Sequence, residues 1–171
     1  MDPSSRPARL RLDIVNDSGD WPPVEPLIQR AADAAWARAG EGDAEASVAL
    51  MDDAAVRTLT RQFRDRDSAT DVLSFPADEP PFPSDDPAML GDIALALETV
   101  RRDSALENKS FEDHLVHLLV HGILHLLGYD HDVADEAEAM EDAERAILAD
   151  LGIADPYRDR SPSNQEQIER Q

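Results

Sequence analysis

The sequence predicts an α+β fold: a single domain in which a small mixed β-sheet is packed by helices, and a central helix carries histidines spaced H-x3-H-x5-H. Three observations lead there. Apolar residues switch along the chain between a period of two and a helical period, giving the order β-α-β-α-β-β-α-α-α. The 171 residues are enough for one buried core, and no internal repeat divides them. All five histidines fall between His114 and His131, on and just after the most apolar helical stretch.

Each element has a local reason. Leu10, Leu12 and Ile14 alternate with Arg11 and Asp13, the pattern of a half-buried strand. Trp21-Pro22-Pro23 turns the chain, and Leu27, Ile28, Ala31, Ala35 and Trp36 then mark an amphipathic helix stopped at Gly40. Ala46 to Met51 reads as a second strand. Asp52 or Asp53 caps a helix carrying Val56, Leu59 and Phe63. Val72 to Phe75 is a short strand closed by Pro76, and an acidic, proline-rich connection leads to a strand over Asp92 to Leu97. Of the three closing helices, the sequence bounds two. One runs from Phe111 to Leu127, ended by Gly128; the other runs from about Ala134 to Leu151, ended by Gly152, with Ala139, Met140, Ala143, Ile147 and Leu148 on one stripe. Met140 on that stripe reads as core packing rather than as a floor under a bound ion. The domain is expected over residues 1–154. Residues 155–171 are polar, short of apolar anchors, and expected to be a disordered tail.

Composition excludes several classes. Without cysteine, disulfides and thiolate metal ligands are ruled out. The amino-terminal residues contain no apolar run of signal-peptide type, and the longest apolar stretch, Leu115 to Leu127, is interrupted by histidines and too short to span a bilayer. A cytoplasmic protein without a membrane partner is the expectation. A net charge of −21 opposes a polyanionic partner at long range. The charge is uneven, however. Arg57, Arg61, Arg64 and Arg66 lie close together, and the first three share a helical face. Arginine forks two hydrogen bonds onto a phosphate, so local attraction coexists with global repulsion. The competing reading is a solvated face paired to Asp53, Asp65 and Asp67.

The histidines carry the chemistry. His121 and His125, four residues apart, present both imidazoles on one helix face, about 6 Å of axial rise apart. Gly128 turns the chain back, so that His131 brings a third imidazole toward the same point. Three neutral imidazoles with a fourth position open is the arrangement of catalytic zinc, and one Zn2+ per chain is expected. His117, at helical spacing before His121, is a rival; three ligands on one straight helix span about 12 Å of rise, too far for bonds of about 2 Å. His114 has no motif support, and Asp130 reads as a turn residue. The offsets 0, +4, +10, with glycine at +7, match the metzincin spacing H-E-x-x-H-x-x-G-x-x-H, a zincin-like arrangement. Gly122 stands where those proteases have their glutamate base, so peptide hydrolysis by that route is disfavoured.

The stretch from His121 to His131, H-G-x-L-H-L-x-G-Y-D-H, resembles the signature of the YbeY family of bacterial single-strand-specific endoribonucleases. Phe63-Arg64-Asp65-Arg66-Asp67, with Thr70-Asp71-Val72-Leu73-Ser74-Phe75-Pro76, resembles a second family element, and Leu90-Gly91-Asp92-Ile93 a third. These matches run in family order from about Leu59 to Met140. Phe63 replaces a usual tyrosine and Thr60 a usual asparagine, which removes a hydroxyl and an amide. The resemblance implies a mixed sheet with the metal site at one end. It also implies a metal-dependent endoribonuclease in ribosomal RNA maturation, at the small-subunit 3′ end, and in ribosome quality control. Arg64 matches the family's functional arginine and would hold the scissile phosphate; the plainer reading pairs it with Asp67 or Asp71. Asp71 and Ser74 either face the cleft or serve as strand cap and strand packing.

The partners implied are single-stranded ribosomal RNA and ribosomal or ribosome-assembly proteins, with no DNA expected. Two routes suit such a site, attack on phosphorus by water or by the RNA 2′-hydroxyl, and the residues do not choose between them. Two other functional classes remain. One is a zinc hydrolase of a peptide or amide bond, supported by the spacing and opposed by Gly122. The other is a non-catalytic ribosome assembly factor, supported by the acidic surface.

Overall fold

The structure is a computed structural model that describes residues 9–63, 71–78, 82, 85–129 and 134–156. It bears out the α+β class and the element order. Strands β1 (Leu10–Asn16), β2 (Ala44–Met51), β3 (Val72–Pro76) and β4 (Ala88–Ala96) form one sheet in the order β1-β2-β4-β3. The pairs β1/β2 and β2/β4 are parallel, and β3/β4 is antiparallel, so the sheet is mixed. Helix α1 (Glu25–Ala39) connects the parallel pair β1 and β2, and α2 (Asp53–Phe63) leads toward β3 at the far edge. Helices α3 (Leu97–Leu106), α4 (Phe111–Leu126) and α5 (Ala134–Asp150) follow the sheet.

Alternation along the strands sorts side chains to two faces. Ala44, Ala46, Val48 and Leu50 of β2 join Ile93 and Leu95 of β4 in the main core. That core also holds Ile28 and Trp36 of α1, Leu115, Leu119 and Ile123 of α4, and Met140, Ile147 and Leu148 of α5. On the opposite face Leu73, Ala94 and Ala96 pack with Val56 of α2. The central helix α4 is therefore held between the sheet and three other helices, α1, α3 and α5, a rigid mount for whatever its side chains carry. Met140 is 1% exposed within this core, as its stripe predicts.

Strand β2 begins two residues before its expected start, at Ala44, and β4 differs from expectation at both ends. Strand β4 begins four residues earlier than its apolar pattern suggests, because Ala88 and Met89 pair with Ala44 and Glu45. The register then shifts so that Ala46 faces Gly91. Gly91 adopts φ +138°, and a Cβ there would lie 2.2 Å from the Phe75 carbonyl oxygen, so the position demands glycine. At its other end β4 yields to α3 one residue early. The Asp53 carboxylate accepts from Thr99 N–H at 2.9 Å and from the Thr99 hydroxyl at 2.8 Å, capping α3 from a different helix. Glu98 returns the contact, accepting from Asp53 N–H at 3.0 Å. Asp52 caps α2 itself, accepting from Ala55 N–H at 2.8 Å.

Gly40 does end α1, but not through left-handed backbone. Its chain is extended, and a Cβ would collide with the Trp36 ring at 2.0 Å. Gly128 and Gly152 do take positive φ, +100° and +75°, and turn the chain after α4 and α5 as expected. Beyond α5, Asp155 accepts from Arg145 Nε at 3.3 Å, and the rest of the predicted tail, from residue 157, lies outside the described residues.

Candidate metal centre

Helix α4 starts firmly: Ser110 accepts from Asp113 N–H at 3.0 Å, with Glu112 and Asp113 in the first turn favouring the helix N-terminus. At its other end Leu127 and Gly128 turn the chain, and Tyr129 N–H returns to Leu124 O at 3.0 Å. This end places the Tyr129 carbonyl under the last histidine of the helix. His125 Nδ1–H donates to Tyr129 O at 3.0 Å. A carbonyl only accepts, so the proton sits on Nδ1, and Nε2 of the neutral ring presents a lone pair.

His121 is fixed in the same sense by a different partner. Its Nδ1–H donates to Glu144 Oε1 of α5 at 2.5 Å. Glu144 is fully buried, and its other oxygen accepts from His117 Nε2–H at 3.0 Å. One carboxylate thus orients two rings of α4. The outcome is that Nε2 of His121 and Nε2 of His125 face each other at 3.0 Å, with ring centroids 4.5 Å apart. Neither neutral nitrogen has a proton to offer the other. Two nitrogens bonded to one zinc at about 2.05 Å with tetrahedral angles stand about 3.3 Å apart, so a few tenths of an ångström of opening fits them to a shared ion. The donor set, imidazoles with Nδ1–H bound to a carboxylate and a carbonyl, suits a transition-metal ion.

Placement of the predicted site residues is uneven. His121 and His125 are brought together. His131 and Arg64 lie outside the described residues, as does Asp130. His117 stands against Glu144 rather than with the converging pair, and its ring centroid is 6.4 Å from that of His121. His114 lies one further step along α4, 6.5 Å from His117. Arg57 and Arg61 are exposed on α2. Ser74 reaches α4 directly, its hydroxyl donating to Gly122 O at 3.4 Å.

Gly122 now has a physical reason. A Cβ there would meet Ile93 Cδ1 and Ser74 Oγ at 3.2 Å each, because α4 presses this position onto β3 and β4. The residue faces the sheet, and a glutamate would have to enter a packed interface. Thr60, too, is spoken for locally: it is buried and its hydroxyl donates to Val56 O at 2.9 Å.

Glu144 was missed from sequence. Its signal was an acid at i+4 from Met140 and i−3 from Ile147, on the apolar stripe of α5. A buried carboxylate on such a stripe requires partners, and two histidines of α4 are those partners.

Known proteins place the chain in a family. The family model described as Endoribonuclease YbeY matches residues 17–152. Similar curated proteins, each named Endoribonuclease YbeY, include one of Rhodopseudomonas palustris (strain BisA53), 53% identical over 149 residues, 85% of this chain and 87% of that protein. Another, of Chelativorans sp. (strain BNC1), is 49% identical over 158 residues, 90% of this chain and 96% of its own. A Bradyrhizobium protein (strain BTAi1) is 54% identical over 146 residues, 82% and 86% of the two chains. In fold, the chain is similar to a solution structure of a Thermotoga maritima protein, with TM-score 0.52 at 24% identity, covering 84% of this chain and 91% of that one. With a model spanning most of the sequence and relatives near half identity over most of their lengths, the chain belongs to the YbeY endoribonuclease family.

Proposed function

We propose that this protein is a metal-dependent endoribonuclease that cleaves single-stranded ribosomal RNA during maturation, with one Zn2+ held by His121, His125 and His131. The observation that carries the reading is the facing pair of Nε2 atoms at 3.0 Å, each on a ring whose Nδ1–H is already committed. Family membership supplies the reaction class. When bound, zinc supplies a Lewis acid that stabilises charge on a phosphate oxygen.

The chain's own residues do the rest. Glu144 keeps the His121 lone pair aimed at the cleft and makes that imidazole more basic as a ligand. Tyr129 O does the same for His125. Arg64, which follows α2 in sequence, is the proposed grip on the scissile phosphate, and Arg57 and Arg61, exposed on α2, add positive charge to that part of the chain. The net charge of −21 keeps long-range attraction for RNA low, which favours a substrate delivered on a ribosomal particle. Ribosomal or assembly proteins are the proposed partners on that particle, and the cytoplasm the proposed compartment. Among the described residues, no helix is long and apolar enough to cross a membrane.

Gly122 separates this reading from a protease. That position is pressed on the sheet, and no glutamate base stands there. The test is purified protein given single-stranded ribosomal RNA fragments and, separately, casein, each with and without chelator. Cleavage of RNA alone, abolished by chelator, is the expected result; casein cleavage, or RNA cleavage indifferent to chelator, would overturn it.

A further inference from the structure

Two helical turns before the histidine centre, α4 carries a buried imidazole that the proposed chemistry does not use. His114 is 4% exposed, and neither ring nitrogen has a hydrogen-bond partner among the described residues. It points into a cleft of about 370 Å³ whose wall also includes His117 and His121. Two carboxylates share that position. Asp71, just before β3, and Asp103 of α3 bring ligand oxygens within 4.8 Å of each other and of a His114 ring nitrogen. His114 Nε2 lies 3.5 Å from Asp71 Oδ2, and Nδ1 lies 3.3 Å from Glu107 Oε2.

The 3.5 Å between His114 Nε2 and Asp71 Oδ2 is close to the spacing of two ligands on one ion, and Asp103 lies near enough to close on the same point. Two donors bonded at about 2.1 Å to one cation, at tetrahedral to octahedral angles, stand about 3.0–3.4 Å apart. We propose that Asp71, Asp103 and His114 form a second divalent-cation site, distinct from the histidine centre and opening into the same cleft. Two carboxylate oxygens and one imidazole make an oxygen-leaning set, which suits Mn2+ or Mg2+ and leaves positions for water or a phosphate oxygen.

The ionisation of the acids supports the geometry. Burial acts to raise the Asp71 carboxyl, but the neighbouring His114 imidazole and Asp103 outweigh it and carry Asp71 below the ordinary carboxylate range. Asp103 moves the other way, raised by burial and by the Asp71 carboxylate against it. Two acids in contact thus oppose each other's charge, a conflict that a divalent cation removes. Seven residues of α4 separate His114 from His121, about 10.5 Å of rise, too far for both ions to act on one phosphorus atom. The second cation would instead take a phosphate flanking the scissile one and reverse the sign of an acidic wall that otherwise repels RNA. This last role rests on the endoribonuclease reading; the cation site does not.

The test uses the zinc-loaded full chain and Mn2+ alone, followed by the electron paramagnetic resonance of free Mn2+. Mn2+ is the weakest binder of the first-row series and leaves zinc in place. One saturable Mn2+ per chain is expected, with binding at least tenfold weaker in Asp103→Asn and in Asp71→Asn at unchanged zinc content. Asp103 is only half-buried, so its amide variant is expected to keep the fold, which its thermal transition checks. No saturable Mn2+ in the wild type, or equal affinity in Asp103→Asn, would overturn the site. In the cleavage assay Asp103→Asn is expected to raise KM for RNA severalfold in Mn2+ with little change in kcat; an unchanged KM would remove the flanking-phosphate role. Should the wild type cleave no RNA, the endoribonuclease reading fails and the Mn2+ titration still decides the site.

Discussion

Glu144 is the residue on which the geometry of the histidine pair depends. It is fully buried, and its two oxygens accept from His117 and His121. Glu144→Gln keeps the shape but loses the charge and one acceptor, so zinc affinity should fall by roughly 10–100-fold. Competition with a chromophoric chelator measures this, and unchanged affinity would show that His121 is oriented by other means. On the substrate side the proposed function gives the corresponding part to Arg64. Arg64→Glu should abolish RNA cleavage at wild-type zinc content and melting temperature, whereas Arg64→Lys should recover only part, since lysine keeps the charge but loses the fork. Wild-type rates in Arg64→Glu would return that arginine to the solvated surface. The ligand spacing at His121 and His125 was legible because a helix converts sequence offset directly into geometry. The carboxylate behind them was not, because contact between α4 and α5 is a tertiary fact that no offset encodes.

At the scale of elements, the fold depends on a few places where two backbones approach closely. Gly91 is one. Gly91→Ala should destabilise the protein by roughly 2 kcal/mol or more, combining a conformation that L-residues avoid with a clash against the Phe75 carbonyl. Denaturant titration reads the loss, and a change within error would mean the bulge relaxes without penalty. A weaker link joins the ends of α1 and α5, where Arg38 holds Asp150 in a paired contact, with Nη2 to Oδ1 at 2.9 Å. Hydrogen bonding to Arg38 lowers the Asp150 carboxyl, so whatever stability it adds is present above the ordinary carboxylate range and lost as pH falls through the lowered value. Both groups are exposed, so Arg38→Ala should change the melting temperature only slightly at neutral pH and not at all in acid. A large loss in acid would contradict that sign. Most elements were readable from periodicity, including β1, β2, α4 and α5. The start of β4 was not, because Ala88 and Met89 are held by pairing with β2 rather than by an apolar pattern of their own. The end of β4 was hidden for a similar reason: the cap of α3 comes from Asp53, 46 positions away in sequence.

The whole molecule places a helix of high apolar content between a mixed sheet and three partner helices, and lines one side of that helix with imidazoles. The acidic surface and the histidine-lined cleft pull in opposite directions for an RNA substrate, and the proposed function resolves them through local positive charge from arginines and a bound ion. A chain ending at Pro156 should retain its cooperative thermal transition and its zinc, since it keeps the Asp155–Arg145 ion pair and Pro156 at the cleft, and the residues removed are polar. Loss of the transition would make the remaining residues part of the fold. The most direct test of the account is a zinc titration of the metal-free chain, read by cleavage of a single-stranded ribosomal RNA fragment. Cleavage should rise in proportion to zinc and break at one equivalent per chain, while His125→Ala stays inactive throughout. Cleavage independent of zinc, or wild-type rates in His125→Ala, would contradict it.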